Sequence, residues 1–341
     1  MYRRLPAEWE EQDGVLLAWP HADSDWREDL PLVEPVFLAI AQVVARFQRV
    51  LIVAPQTAPL AERLRRTGVD LGRVSLYPLP TNDTWARDFG PITVFEDGKP
   101  LLYDFGFNGW GLKFAAHFDN RITAELDRLG VFGQCRVSVP GLILEGGSIE
   151  SDGAGTLLTT AQCLLEANRN PHLSRAQLEE KLVELFGVDH VLWLEHGYLA
   201  GDDTDSHIDT LARFAPDNTI LYVRCDDDRD EHYGALALME AELRALRTRG
   251  GGRFRLLPLP WPKACLGDVG ERLPATYANF LVINGAVLVP TYDDPADVEA
   301  CAVIARAFPG REIVPVDCRA LIRQHGSLHC VTMQLPKGVL A

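Results

Sequence analysis

Four short strings carry the residues best suited to chemistry. Cys330 lies in His325-Gly326-Ser327-Leu328-His329-Cys330-Val331-Thr332-Met333. A free cysteine is by itself most often a small buried hydrophobe. Three further strings change that reading: Trp85-Ala86-Arg87-Asp88-Phe89-Gly90-Pro91, Leu144-Glu145-Gly146-Gly147-Ser148 and Asp202-Asp203-Thr204-Asp205-Ser206-His207-Ile208-Asp209. Each sets carboxylates or an imidazole among turn-forming residues, and glycine lets backbone approach a ligand closely. A thiolate is a strong nucleophile and a good leaving group. An imidazole titrates near neutral pH and can carry protons to and from a reacting centre. Taken singly, each string also has a plain structural use. Asp88 could pair with Arg87 or open a turn, Glu145 could end a strand, the four aspartates could line a solvated loop, and His207 could be a satisfied core histidine.

Together the four strings resemble the signatures of the agmatine deiminase and bacterial peptidylarginine deiminase family, within the wider guanidine-modifying superfamily. The resemblance starts at Leu5-Pro6-Ala7-Glu8-Trp9 and Gly14-Val15-Leu16-Leu17-Ala18-Trp19-Pro20-His21. It continues through Leu157-Leu158-Thr159-Thr160 and Asn168-Arg169-Asn170-Pro171 and ends at the cysteine string, so it spans nearly the whole chain in order.

The resemblance implies an α/β fold of the pentein propeller type, five ββαβ units around a pseudo-fivefold axis, with residues 1–341 forming one catalytic domain. It also implies a hydrolase that deiminates a guanidino compound, agmatine first among them, with peptidyl-arginine as the alternative. A guanidinium is planar, cationic and edged with N–H donors, so a dry site for it needs carboxylates; Asp88 and Asp209 are the candidates. Cys330 would attack the central carbon, His207 would shuttle protons, and Glu145 would orient that histidine. Trp85 and Trp110 would wall the substrate. No cofactor and no metal are expected. One departure bears on substrate choice: many agmatine-specific members carry an arginine shortly after the Trp-Pro pair, whereas Trp19-Pro20 is followed here by His21-Ala22-Asp23-Ser24-Asp25-Trp26-Arg27.

Three other functions stay open at this point. Asp205-Ser206-His207-Ile208-Asp209 spells D-x-H-x-D, a ligand pattern of binuclear-metal ureohydrolases. Its only second motif would be Tyr292-Asp293-Asp294-Pro295, and Cys330 would then have no task. An amidinotransferase would use the same cysteine and histidine with an amine in place of water. A binding module of the same fold would have lost one of the two.

Composition fits a soluble protein. The 341 residues are 47% hydrophobic and 24% charged, enough to bury a sizeable core. A net charge of −15 and a pI near 5.0 argue against a nucleic-acid partner, which needs clustered cations; a small cationic substrate suits that balance. Seven cysteines without CxxC spacing suggest neither a zinc ribbon nor a disulfide framework. A reducing cytoplasm is the expected compartment. The apolar runs read as too short to span a bilayer, and self-association is left open.

Period-2 and continuous apolar runs predict strands at 15–18, 50–54, 74–77, 142–144, 219–223, 280–283, 287–290, 312–316 and 328–333. Amphipathic segments predict helices at 34–47, 120–129, 231–248 and 296–307. Ser174 with Gln177 forms a capping box that starts a helix ending near Phe186. Asn168-Arg169-Asn170-Pro171 reads as a turn before that helix, without a chemical role, and His325 and His329 as local hydrogen-bond anchors. With no GxGxxG or Walker string after an early strand, a doubly wound nucleotide-binding sheet is disfavoured.

Overall fold

A computed structural model describes residues 2–340. Its strands fall into five sheets, and one connection recurs in all of them: two antiparallel strands, then a helix, then a third strand that joins parallel. Ile92–Glu96 pairs antiparallel with Lys99–Tyr103, which pairs parallel with Arg136–Ser138 after the helix Ile122–Arg128. Ile149–Ser151, Thr156–Thr160 and His190–Leu194 repeat the pattern with Arg175–Phe186 as the helix. Ala212–Ala215, Thr219–Val223 and Arg255–Leu259 do so with Tyr233–Ala245. Leu281–Ile283, Ala286–Thr291 and Glu312–Asp317 do so with Ala296–Ala307.

The fifth sheet is built from both ends of the chain. Thr332–Pro336 pairs antiparallel with Gln12–Ala18, which pairs parallel with Arg49–Ala54 after the helix Leu30–Phe47. Val74–Pro78 adds a further parallel strand. The architecture is therefore α/β with mixed sheets, and pairing of the two chain ends fixes Cys330, two residues ahead of Thr332, against the N-terminal strands.

The middle strands read as unbroken apolar runs because both their faces are covered. Val15, Leu16, Leu17, Val50, Ile52, Val287, Leu288 and Val289 are fully buried, and truncating any such leucine or isoleucine to alanine costs about 2–5 kcal/mol. Helix Leu30–Phe47 buries Val33, Val36, Phe37, Ile40, Ala41, Val44 and Ala45, a stripe at helical spacing that faces the sheets. This helix corrects one expectation. With 18 residues and a mean hydropathy of 1.6 it is long and apolar enough to cross a membrane by length and composition; its buried stripe makes it a core helix.

The helix also starts earlier than position 34, because Pro31 falls in its first turn, where no N–H is needed, and a second proline, Pro35, lies within it. The capping box at Ser174 and Gln177 is present as expected. Two predicted strands are corrected. Residues 142–144 make only a single bridge, Ile143 to Gly106, and Leu328 to Val331 form a turn, the strand beginning at Thr332. The strands at 92–96, 99–103, 136–138, 149–151, 156–160, 190–194, 212–215 and 255–259 went unpredicted, as did the helix Thr57–Arg66.

Candidate active site

Each chemically suited residue sits in the turn that enters the first strand of one sheet. Asp88 is in the short helix Ala86–Phe89 before Ile92. Glu145 precedes the 3-10 turn Gly146–Ser148 and the strand at Ile149. His207 and Asp209 flank Ile208 before Ala212. Asn279 precedes Leu281, and Cys330 precedes Thr332. The strings thus precede strands. Five equivalent entry turns bring residues from distant parts of the chain together.

Cys330 is 5% exposed. Its Sγ lies 3.7 Å from Asp209 Oδ2, and Asn279 Nδ2 donates to the sulfur at 3.2 Å. Asn279 also holds the turn itself, its Oδ1 accepting from His329 N at 2.8 Å and from Cys330 N at 3.3 Å. Burial, with the carboxylates of Asp209 and Asp88, raises the thiol well above its ordinary value, which favours its protonated form until a cationic ligand offsets those carboxylates.

Asp88 accepts from Gly147 N at 2.9 Å on Oδ1 and from the Trp110 indole at 2.9 Å on Oδ2. Burial pushes its carboxyl up to about 6, against the pull of His207. Trp110 reaches Asp88 from a left-handed turn, with φ positive at Gly109, Trp110, Gly111 and Leu112. Left-handed tryptophan and leucine are costly, and the buried indole bond helps fix this turn.

His207 is fully buried, and neither ring nitrogen has a hydrogen-bond partner among the described residues; the same holds for Asp209 Oδ1. Asp88 Oδ1 stands 3.7 Å from Nδ1 and Glu145 Oε2 3.9 Å from Nε2. Burial lowers the imidazole's proton affinity, but Asp88, Cys163 and Glu145 outweigh it and raise the group well above 6.5, which makes it a cation at neutral pH.

A Cβ at Gly147 would lie 2.6 Å from His207 Nδ1, 2.9 Å from Asp88 Oδ1 and 3.1 Å from Asp209 Oδ2. Three polar atoms from two other entry turns therefore converge on one point, and only glycine leaves that point open.

Behind this front lies a layer of buried charge. Arg169 Nε donates to both oxygens of Glu145, at 3.0 and 2.8 Å, and both side chains are fully buried. Its Nη1 reaches Asp205 Oδ2 at 2.8 Å and its Nη2 the Thr204 carbonyl at 3.0 Å. Burial raises Glu145, and His207 and Arg169 more than offset this to leave it below its ordinary value. Asp209 Oδ2 accepts from His329 Nδ1 at 2.8 Å. On the other side of that ring Arg213 Nη2 is 3.0 Å and Glu8 Oε1 2.8 Å from Nε2, so the imidazole lies between two carboxylates; burial and the arginines Arg213 and Arg87 hold it below its ordinary value. Arg213 also bonds Glu150 and the carbonyls of Ala278 and Phe280.

A cavity of about 210 Å³ leads down to Cys330 and Asp88, walled by Trp85, Trp110 and Phe114. The Trp85 ring lies on Gly326, where a Cβ would come within 2.1 Å of it.

The structure thus brings together Cys330, His207, Asp88, Glu145 and Asp209, with Trp85 and Trp110 on the cavity wall. It overturns the reading of Arg169 as a plain turn residue, since that guanidinium is the buried partner of Glu145. Asn279 was missed as well. It sits at the head of an apolar run, and a polar residue there was the available signal.

The D-x-H-x-D pattern does not gather into a ligand set. Asp205 is bound by Arg169 and Lys113, and Asp293 pairs with Arg319. The one close group of three possible ligands among the described residues is Glu145, Cys163 and His207. Its carboxylate is already occupied by Arg169, and that cation opposes a second one beside it.

Comparison with known proteins agrees in extent with this site. The family model described as Porphyromonas-type peptidyl-arginine deiminase matches residues 4–336. An agmatine deiminase of Pseudomonas aeruginosa (strain LESB58) is 35% identical over 98% of this chain and 95% of its own. Among solved structures, a Porphyromonas gingivalis protein with a provisional arginine deiminase assignment is 51% identical, covers 99% of this chain and 100% of its own, and superposes with a TM-score of 0.93. A cysteine-to-serine variant of the C. jejuni agmatine deiminase with substrate bound is 41% identical, covers 99% and 97%, and has a TM-score of 0.91.

Proposed function

The chain belongs to the Porphyromonas-type peptidyl-arginine deiminase family, and on that premise we propose that it hydrolyses agmatine to N-carbamoylputrescine and ammonia through a covalent adduct on Cys330. The relatives named agmatine deiminase, which match at full length, support the substrate. The observation that carries the mechanism is the convergence of His207, Asp88 and Asp209 on one buried point, with the Cys330 sulfur 3.7 Å from Asp209. The five repeated sheets are read as the blades of a pentein propeller, with the entry turns facing its axis.

In this reading Asp88 and Asp209 take the N–H groups of the guanidinium, whose charge offsets the carboxylates that keep the thiol protonated, so that the thiol releases its proton to solvent and becomes thiolate. Sγ then adds to the guanidine carbon. His207, a cation on entry, gives its proton to one terminal nitrogen; that C–N bond breaks, ammonia leaves, and an S-alkylthiouronium remains. Water adds to the same carbon and loses a proton to the now neutral His207. The C–S bond then breaks, the sulfur leaves as thiolate, and the added oxygen gives up its remaining proton to become the carbonyl of the ureido product; the sulfur takes a proton from solvent when that product departs. Glu145, oriented by Arg169, stabilises the charged form of His207, and Asn279 supports the sulfur by its Nδ2–H.

The test is turnover of purified enzyme with agmatine, arginine and a C-terminal arginine peptide, with ammonia and ureido product measured before and after EDTA. Ammonia from agmatine, unchanged by chelation and abolished by iodoacetamide, is expected. Release of urea, or activity that disappears on chelation and returns with manganese, would overturn the assignment.

A further inference from the structure

The mouth of the reactive cavity has an unbalanced set of charges. Asp25, Asp83 and Asp203 line it, with Arg323 and His325 as the only basic side chains. Arg323 is already committed: its Nε bonds Asp29 at 3.0 Å, and Nη1 and Nη2 bond Asp268 at 3.1 and 2.6 Å. His325 Nδ1 is turned to the Gly201 carbonyl at 2.6 Å. A carboxylate arriving at this mouth would meet three acids, and the arginine that could pair with it is held by two others. An ammonium would meet acids short of positive charge: Asp203 has His325 Nδ1 at 3.8 Å, whereas the donors on Asp83 are the uncharged N–H groups of Trp26, Thr84 and Trp85.

Among those acids Asp83 is the one the fold holds in place. Trp26 Nε1 at 2.9 Å and its neighbour Thr84 N at 2.7 Å both donate to Oδ1, and its own N–H is tied to the Asp119 carboxylate at 3.1 Å. Asp25 is exposed beside it. Asp203 belongs to the segment before His207 and has 41% of its side chain exposed. A fixed carboxylate gives directional recognition at less entropic cost than a mobile one. Burial, with Asp25 adding to it, pushes the Asp83 carboxyl up to about 6; a cation in the mouth would relieve that cost.

We infer that Asp83, assisted by Asp25, receives the distal ammonium of the substrate, and that this acidic mouth selects ω-aminoalkylguanidines against arginine and C-terminal arginine peptides. The inference rests on the deiminase reading above, with the guanidinium at Cys330 and the alkyl chain between Trp85, Trp110 and Phe114.

Agmatine and n-butylguanidine, which lacks the terminal amine, separate the two ends of the ligand. Wild type is expected to favour agmatine in kcat/KM. Asp83→Asn should raise KM for agmatine about tenfold or more, each tenfold being about 1.4 kcal/mol, while kcat/KM for butylguanidine stays within about twofold, as uniform binding at a remote end requires. Asp203→Asn should leave the ratio between the two substrates near that of wild type. The rate at which iodoacetamide modifies Cys330 reports whether Asp83→Asn retains a native site. Equal losses on both substrates would reduce Asp83 to a structural residue, and a change of preference in Asp203→Asn alone would move the subsite; either result overturns the inference. If wild type turned over neither compound, the deiminase reading itself would have failed, a result distinct from both.

Discussion

Replacing Arg169 by methionine keeps most of its volume and removes the guanidinium that joins Glu145, Asp205 and the Thr204 carbonyl. Glu145 is fully buried, so the change leaves a carboxylate without its cation. Breaking one side of a buried pair costs about 3–5 kcal/mol. At ~2.1 cal/mol/K per residue a chain of this length unfolds with roughly 0.7 kcal/mol/K, so the melting temperature should fall by about 4–7 °C.

The loss should depend on pH with a definite sign. In wild type, Glu145 titrates below its ordinary value, so its contribution is present above the unfolded pKa and is lost only as pH falls through the folded one. Without Arg169, His207 alone opposes burial and the folded pKa of Glu145 rises from its wild-type position. The variant therefore loses the contribution of Glu145 at a higher pH than wild type and holds less of it at every pH above that. The gap between wild type and variant should therefore be small near pH 4 and wide at pH 8. Thermal melts from pH 4 to 8 measure this directly. The alkaline limb of kcat should also move to lower pH, because a Glu145 no longer oriented by Arg169 supports the imidazolium less. Arg169→Lys should restore only part of the stability, since one ammonium cannot span three acceptors that a planar fork reaches together. A gap that stays constant across that range, or a lysine variant equal to wild type, would refute the assignment of Arg169 as the support of Glu145.

Cys330→Ser should abolish turnover and leave the melting temperature near that of wild type, because oxygen is nearly isosteric but far less nucleophilic; substantial residual ammonia release would refute covalent catalysis by this sulfur. Because Asp88 titrates at about 6 and must be ionised to hold a guanidinium, kcat/KM should decline as pH drops below about 6. Asp88→Asn should bind substrate weakly and lack that acid limb with n-butylguanidine, which has no ammonium to call on Asp83. Gly147→Ala places a methyl 2.6 Å from His207 Nδ1. It should cost about 1–3 kcal/mol as overpacking and eliminate substrate binding, so a variant with wild-type KM would show that the three polar atoms do not form the guanidinium seat.

The reactive groups were legible because each lies in a compact string whose own composition is unusual: a carboxylate before Gly-Pro, another before Gly-Gly, an acidic loop ending in histidine, a cysteine between histidine and valine. What holds them was not. Arg169 looks like any turn arginine in Asn168-Arg169-Asn170-Pro171, and its meaning comes from Glu145, 24 residues away in sequence, and from a carbonyl 35 residues further on. Local periodicity also failed on strands such as Lys99–Tyr103 and Arg255–Leu259, which carry a charged first residue and a proline that propensity alone reads as breakers. Those strands form because a partner, Ile92–Glu96 or Thr219–Val223, supplies the ladder.

The repeat offers a better key than the strings. Asp88, Glu145, His207 with Asp209, and Cys330 enter the first strands of four sheets, and the fourth sheet in chain order enters through Asn279. Once four entry turns are seen to carry polar groups into one centre, the fifth must place its own there too. An asparagine that is 0% exposed at the head of a hydrophobic strand is costly unless both ends of its amide are bonded. Here they are, to the Cys330 sulfur and the Asp209 carbonyl through Nδ2 and to the two amides of the cysteine turn through Oδ1. The requirement to satisfy that amide fixes where the nucleophile sits, so the same physical rule that permits Asn279 in the core also positions Cys330 for attack.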